Sequence, residues 1–376
     1  MRNFELEVFF SKWEFKAKYH LTASDMQSMS MAELLSMASE EDRKAFDNLW
    51  LGYTQTYGLE ALREEIAGTY DAMDKDNILC FTGAEEGLYT AMKVLLSADD
   101  HAIVVVPNYQ AAETIPLSIC DVTGVSLQAE NDWALDIDAL VGALRPNTKV
   151  ISINFPNNPT GKIISKDDLE SLVNIAREFD IYIFSDEVYR GIELDETKRI
   201  PQICDIYEKG LSLNVMSKAY GLPGLRLGWI ASQDKKVLEE MERYKHFLTI
   251  CNSAQSEILS LIALKAKDQI LEKNRNLLAT NIVKLDKFFG EFPNHFEWKR
   301  PDGGAIAYPR YIGEGSTNDF CAKLLDETGV LILPPSIYNS ELLSTPQDRF
   351  RVGYGRDNMD EMLDVFYHYL KKNSAP

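Results

Sequence analysis

"KVISINFPNNPTGKIISKDDLESLVNIAREFDIYIFSDEVY", residues 149–189, changes its hydrophobic period twice. "KVISINF" (149–155) and "IYIFSDE" (181–187) are short apolar runs rich in β-branched residues, the pattern of strands covered on both faces. Between them Ser165–Phe179 follows the helical period, with Ser165 placed to cap it and Asp168 placed to complete a capping box. "HAIVVV" (101–106) and "LSLNVM" (211–216) are further runs of the same kind. Strands alternating with helices predict an α/β chain built on a mostly parallel, doubly wound sheet.

A long helical stretch (234–289) follows, and then the pattern changes. "FEWKR", "GGAIAYPRY", "VLILP" and "RFRVGYG" predict a smaller sheet, with helices at 317–327 and 357–371. The expected division is a large domain over 46–275 and a smaller α+β domain made of 1–45 and 276–376.

The 376 residues, 45% of them hydrophobic, are enough for a large core and two domains. A formal net charge of -19 argues against nucleic acid or an anionic membrane surface as partner. Cys80, Cys120, Cys204, Cys251 and Cys321 are odd in number and scattered, without a CxxC, which fits reduced thiols in a cytoplasm. The histidines show no ligand spacing, so no metal site is expected. No run approaches a membrane span, and the charged start "MRNFELEVFFSKWEF" reads as no signal peptide.

Ligands of doubly wound sheets bind beyond the carboxyl ends of the strands. Those ends carry Pro107-Asn108-Tyr109, "PNNPTG" (156–161), Asp186 to Tyr189, and Ser217-Lys218. "TGAEEGL" (82–88) offers small residues opening a helix, the outline of a phosphate cradle. In "NVMSKAYGLPGLRLGW" (214–229), a Gly-Leu-Pro-Gly turn follows Lys218, and Arg226 comes eight residues after that lysine. Each pattern alone occurs in unrelated loops; their joint order is specific.

That order resembles the class I/II aminotransferases, pyridoxal-phosphate enzymes of fold type I. The carrying segments are "YTQTYG" (53–58), "TGAEEGL", "PNY" (107–109), "NNPTG" (157–161), "SDEVY" (185–189), "SKAYGLPGLRLGW" (217–229), "GGAIAY" (303–308) and "RVGYG" (351–355). The resemblance implies a homodimeric enzyme that moves an amino group between an amino acid and a 2-oxo acid. It implies that Lys218 holds the cofactor as a Schiff base and then shuttles a proton, which requires an amine close to neutral. Asp186 would pair with the pyridine nitrogen, Asn158 and Tyr189 would bond the phenolate oxygen, and Tyr109 would stack on the ring. The phosphate would take the N–H groups of Ala84 and Glu85, with Ser217 nearby and Arg226 as its cation. Tyr53 would reach the phosphate of the neighbouring subunit. Arg351 would clamp the substrate carboxylate, with Asn158 and Ser24 in the substrate site.

Two departures stand out. Val215 occupies the place of the family's usual serine, so either Asn214, Ser217 or a water substitutes or cofactor affinity is lower. The first forty residues match poorly, with "LTASD" (21–25) in place of the usual glycine-containing segment. A C–S β-lyase or a capreomycidine-synthase-like cyclisation would use the same residues. Tyr19, Arg190, Tyr338 and Arg356 are further candidates for the side-chain pocket.

Overall fold

The computed structural model describes residues 2–373. Its main sheet has seven strands: β1 (Ile78–Phe81), β2 (His101–Val106), β3 (Asp121–Ser126), β4 (Thr148–Asn154), β5 (Tyr182–Asp186), β6 (Gly210–Val215) and β7 (Gly228–Ser232). The spatial order is β1-β7-β6-β5-β4-β2-β3. Strands β3, β2, β4, β5 and β6 pair in parallel, while β7 runs antiparallel to both β6 and β1.

The alternation of side chains across the pleat divides the core. Ile103, Val105, Ile151, Ile153 and Ile183 meet Leu169, Leu172 and Val173 of the Lys166–Glu178 helix on one face. Ala102, Val104, Val150, Phe184, Leu211 and Leu213 meet Leu88, Met92 and Leu238 on the other. With both faces covered, the central strands can be apolar throughout, which is why they were readable as runs. Burying each such Leu or Ile contributes about 1.5–3 kcal/mol.

The run 101–106 coincides with β2, and the other three predicted runs match β4, β5 and β6 to within a residue. Strands β1, β3 and β7 are additions. "ILCF" is only four residues long, and "DVTGVS" is a half-exposed edge interrupted by Gly124. "GWIAS" mixes glycine and serine into an apolar strand. Ser165 caps its helix by accepting the Asp168 N–H at 3.0 Å. Asp168 does not close the expected box: its carboxylate accepts the Ser165 hydroxyl at 2.7 Å.

The stretch read as one helical region divides into Lys235–Lys245, Ala254–Lys265 and Lys267–Gly290. The expected smaller sheet is three short pairs: Tyr19–His20 with Val330–Leu331, Ile306–Ala307 with Val352–Gly353, and Phe296–Glu297 with Arg310–Tyr311. Helices Thr317–Thr328 and Met359–Asn373 lie where expected. The first of these pairs ties the N-terminal segment to the C-terminal part of the chain. Ahead of it stands a helix the sequence reading lacked, α1 (Glu5–Trp13), whose Leu6 is buried against the large sheet's core. Among the described residues no helix is long and apolar enough to cross a membrane, and no cluster of His, Cys, Asp and Glu could hold a metal ion.

Candidate active site

Strand register builds the floor of the site. Asn154 and Asp186 end neighbouring strands opposite one another. The Asn154 amide donates to the Asp186 carbonyl at 3.0 Å, and its Oδ1 accepts the Asn158 N–H at 2.8 Å. The Asp186 carboxylate accepts the Val188 N–H at 3.2 Å. Burial pushes its pKa up to about 6, against the opposing pull of that N–H and of Lys218. Lys218 follows β6, and its Nζ donates to Ser24 Oγ at 2.9 Å. Burial lowers the Lys218 pKa; Asp25 and Asp186 oppose that shift and Arg351 reinforces it.

Beside this floor lies an anion cradle. Gly83, with φ of 88°, precedes helix α2 (Ala84–Leu95). A Cβ on Gly83 would stand 2.7 Å from Arg226 Nη2, and one on Gly228 would stand 2.8 Å from the Ala84 nitrogen. Both glycines are therefore required for strand, helix start and guanidinium to close together. The turn after Lys218 ends with Arg226 in the left-handed region (φ 47°). This turn is what returns the arginine to the lysine's neighbourhood. The N–H groups of Ala84 and Glu85 belong to the first turn of α2 and have no helical partner. Burial raises the Glu85 carboxyl to about 7, against the opposing pull of the neighbouring Tyr109 hydroxyl. Tyr109 lines the cleft and packs edge-on against Phe4, ring centres 5.3 Å apart. Of the substitutes considered for the missing serine, Asn214 turns its Oδ1 onto the Val215 N–H at 2.9 Å, whereas Ser217 lines the cleft.

Arg351 is fully buried. Its Nη1 donates to Tyr338 Oη at 2.9 Å and to Asn158 Oδ1 at 3.2 Å, and its Nη2 donates to the Thr22 carbonyl at 2.9 Å. Its Nε has no hydrogen bond among the described residues. Asn158 Oδ1 also accepts the Tyr338 hydroxyl at 2.8 Å, so only the Asn158 amide nitrogen is left for a further partner. Tyr189 Oη is buried without a hydrogen bond of good geometry, although Ser24 lies beside it. Burial raises the Tyr189 pKa well above the ordinary phenol range.

These residues converge on one cleft of about 760 Å³, lined by Lys218, Asp186, Asn158, Tyr189, Tyr109, Ala84, Glu85, Ser217, Arg226, Arg351 and Ser24. Tyr53 is not brought to it: that side chain is 86% exposed elsewhere. Arg190 is also absent; its Nη1 bonds the Ile200 carbonyl beside a separate small pocket. Tyr19 is buried in its strand pair. Arg356 does line the cleft, as do Glu7, Phe10, Glu14 and His20, which the sequence reading passed over. The spacing of Leu6, Phe9, Phe10 and Trp13, at i, i+3, i+4 and i+7, was the available signal for α1.

The family model for aminotransferase class I and II matches residues 17–366. An aspartate aminotransferase of Pyrococcus horikoshii is 29% identical over 312 residues, covering 80% of this chain and 78% of that protein. A capreomycidine synthase of Streptomyces vinaceus is 25% identical, covering 93% of this chain and 88% of its own. The crystal structure of a PLP-dependent aminotransferase from Streptococcus suis superposes with a TM-score of 0.92 at 29% identity, covering 100% of this chain and 99% of that one.

Proposed function

The chain belongs to the class I and II aminotransferases, pyridoxal-phosphate enzymes that move an amino group between an amino acid and a 2-oxo acid, and from that premise we propose how its residues divide the work. The residues present fit the cofactor. A buried tyrosine hydroxyl and a buried guanidinium nitrogen lack partners, and two glycines hold a helix start and an arginine together as an anion site.

When bound, pyridoxal phosphate supplies an electron-accepting ring that stabilises negative charge at the substrate Cα. Lys218 would anchor it and would take the Cα proton on Nζ, a role favoured by the burial that lowers its pKa. Asp186, at the end of β5 and opposite Asn154, would hold a proton on the ring nitrogen by its charge. Tyr189 Oη and the Asn158 amide serve the phenolate oxygen. Tyr109 would pack on the ring. Ala84 and Glu85 N–H groups, Ser217 and Arg226 grip the phosphate. Arg351, held in a fixed plane by Asn158, Tyr338 and the Thr22 carbonyl, takes the substrate carboxylate, and Ser24 completes the substrate side.

The single observation that carries this reading is the convergence of half-buried Lys218 with buried Asp186 and Arg351 on one cleft. We further propose that residues 46–275 form the cofactor-binding domain and that 1–45 with 276–376 form the small domain. The enzyme is proposed to act as a homodimer, with Tyr53 lending its hydroxyl to the partner's phosphate site, and to reside in the cytoplasm. Supporting the dimer, Trp50, Leu51, Tyr53 and Phe247 are exposed large side chains on segments joined by the Thr54 hydroxyl to the Asn252 carbonyl.

A screen of amino donors and 2-oxo acids, followed at the visible band of the holoenzyme, tests the reading. Amino transfer bleaches the band with the donor and restores it with the acceptor, forming a new amino acid. Elimination or cyclisation would consume the donor without an acceptor and without turning the 2-oxo acid into its amino acid.

A further inference from the structure

The charges of the cleft are unevenly committed. Its cations are Lys218, Arg226, Arg351 and Arg356. Arg226 stands at the α2 start, Lys218 is bonded to Ser24, and Arg351 is enclosed by its three partners. Arg356 is neutralised: its Nη2 donates to both carboxylate oxygens of Asp25 at 3.0 Å, and its Nη1 donates to the Met26 carbonyl at 2.9 Å. Among the described cleft residues no guanidinium is left over for a second carboxylate.

The surplus is acidic. Glu7 and Glu14 line the cleft from α1 and its C-terminal end, seven residues apart and so two turns along one helix face, with Phe10 between them. Neither carboxylate has a hydrogen bond or ion pair among the described residues. Burial, then Glu7 and Asp25, raise the Glu14 pKa, against the opposing pull of Lys218 and Arg356. Phe10 stacks on His20 at 6.0 Å, and both nitrogens of that imidazole are buried without a partner among the described residues. Burial, then Arg356, lowers the His20 pKa, so the ring is neutral and keeps one lone pair to accept a hydrogen bond.

That this cleft takes a ligand is supported independently by the unpartnered Tyr189 Oη and Arg351 Nε, both buried and both lining it. The cleft thus offers a cation for a carboxylate at its floor and, on the α1 wall, two free carboxylates with a neutral imidazole that can accept.

We propose that the site selects amino acids whose side chain ends in a positive charge, an amine or a guanidinium, and that Glu7 and Glu14 are the residues that read it. This rests on Arg351 holding the α-carboxylate, as in the reading above. A dicarboxylic substrate meets only repulsion at the same wall. Because both glutamates are exposed, screening limits the discrimination to about tenfold.

The test is calorimetric titration of the holoenzyme with chain-matched analogues that lack the α-amino group and carry no primary amine to react with the cofactor: 6-(trimethylammonio)hexanoate, 5-guanidinopentanoate, hexanoate and adipate. The expected result is that the two cationic analogues bind about tenfold more tightly than hexanoate and that adipate binds more weakly. In a Glu7→Gln/Glu14→Gln variant the cationic advantage should fall to about twofold or less, and Glu14→Lys should shift preference towards adipate. Adipate binding as well as the cationic analogues, or a preference that survives the double substitution, overturns the inference. Amino transfer from alanine, measured in parallel, reports on the reaction itself and so separates failure of the selectivity from failure of the aminotransferase reading.

Discussion

Lys218 Nζ lies 2.9 Å from Ser24 Oγ, a bond that joins the end of the sixth sheet strand to the N-terminal segment. The lysine is thereby held over the cleft by two parts of the chain that are distant in sequence. Ser24→Ala removes this partner without opening the cofactor site. The expected effect is a two- to tenfold loss in kcat, the range set by a net hydrogen bond of about 0.5–1.5 kcal/mol. Cofactor content, read from the visible band, should not change. A loss of cofactor would place Ser24 in cofactor binding instead.

Arg351 meets a carboxylate already present in the free amino acid. Arg351→Lys retains charge and forfeits the planar fork, so KM should rise by about tenfold or more while kcat falls less. Tyr338→Phe deletes one of the bonds that fix the guanidinium and should shift KM in the same direction by a smaller factor. Steady-state kinetics with one donor checks both; a pure kcat effect would remove Arg351 from the substrate site.

Asp186 yields a prediction about stability. In the cofactor-free chain burial raises its pKa to about 6, above the unfolded carboxylate value near 4. Between these pH values the folded chain binds more protons than the unfolded one, so stability falls as pH rises through the window and levels above it. The cost at pH 7.5 is about 2–3 kcal/mol from this group. Asp186→Asn abolishes that cost, so the stability of the variant relative to the parent should increase from pH 5 to pH 7.5. Denaturant unfolding of the cofactor-free proteins measures it. A pH-independent difference would show that the carboxyl is not held neutral by burial.

What the sequence disclosed and what it withheld divide along a physical line. Strands covered on both faces appear as uninterrupted apolar runs, so β2, β4, β5 and β6 were legible, and with them the strand-end residues Asn158, Asp186, Tyr189 and Lys218. Strands β3 and β7 break their runs with Gly124, Gly228 and Ser232. The engagement of Asn158 Oδ1 by Arg351 and Tyr338 spans the chain from 158 to 351, and no local pattern records it. The α1 wall was missed for another reason. Its apolar stripe is brief and lies among charged residues, so the segment reads only as a charged start, with no helix.

The exposed side chains of Trp50, Tyr53 and Phe247 predict a self-association surface. Sedimentation at assay concentration should give a dimer, and Phe247→Glu should weaken it and lower activity together with it. Tyr53→Phe should leave the dimer intact and weaken cofactor retention. A fully active monomer would contradict the shared-site arrangement.

The central claim is that Lys218 carries the cofactor. Borohydride reduction of the holoenzyme fixes the cofactor to whichever amine holds it, and peptide mapping by mass spectrometry then reads the position. The account predicts a single pyridoxyl label on the peptide containing Lys218, and its disappearance in Lys218→Ala. A label on another lysine, or the same labelling in the Lys218→Ala variant, would contradict it.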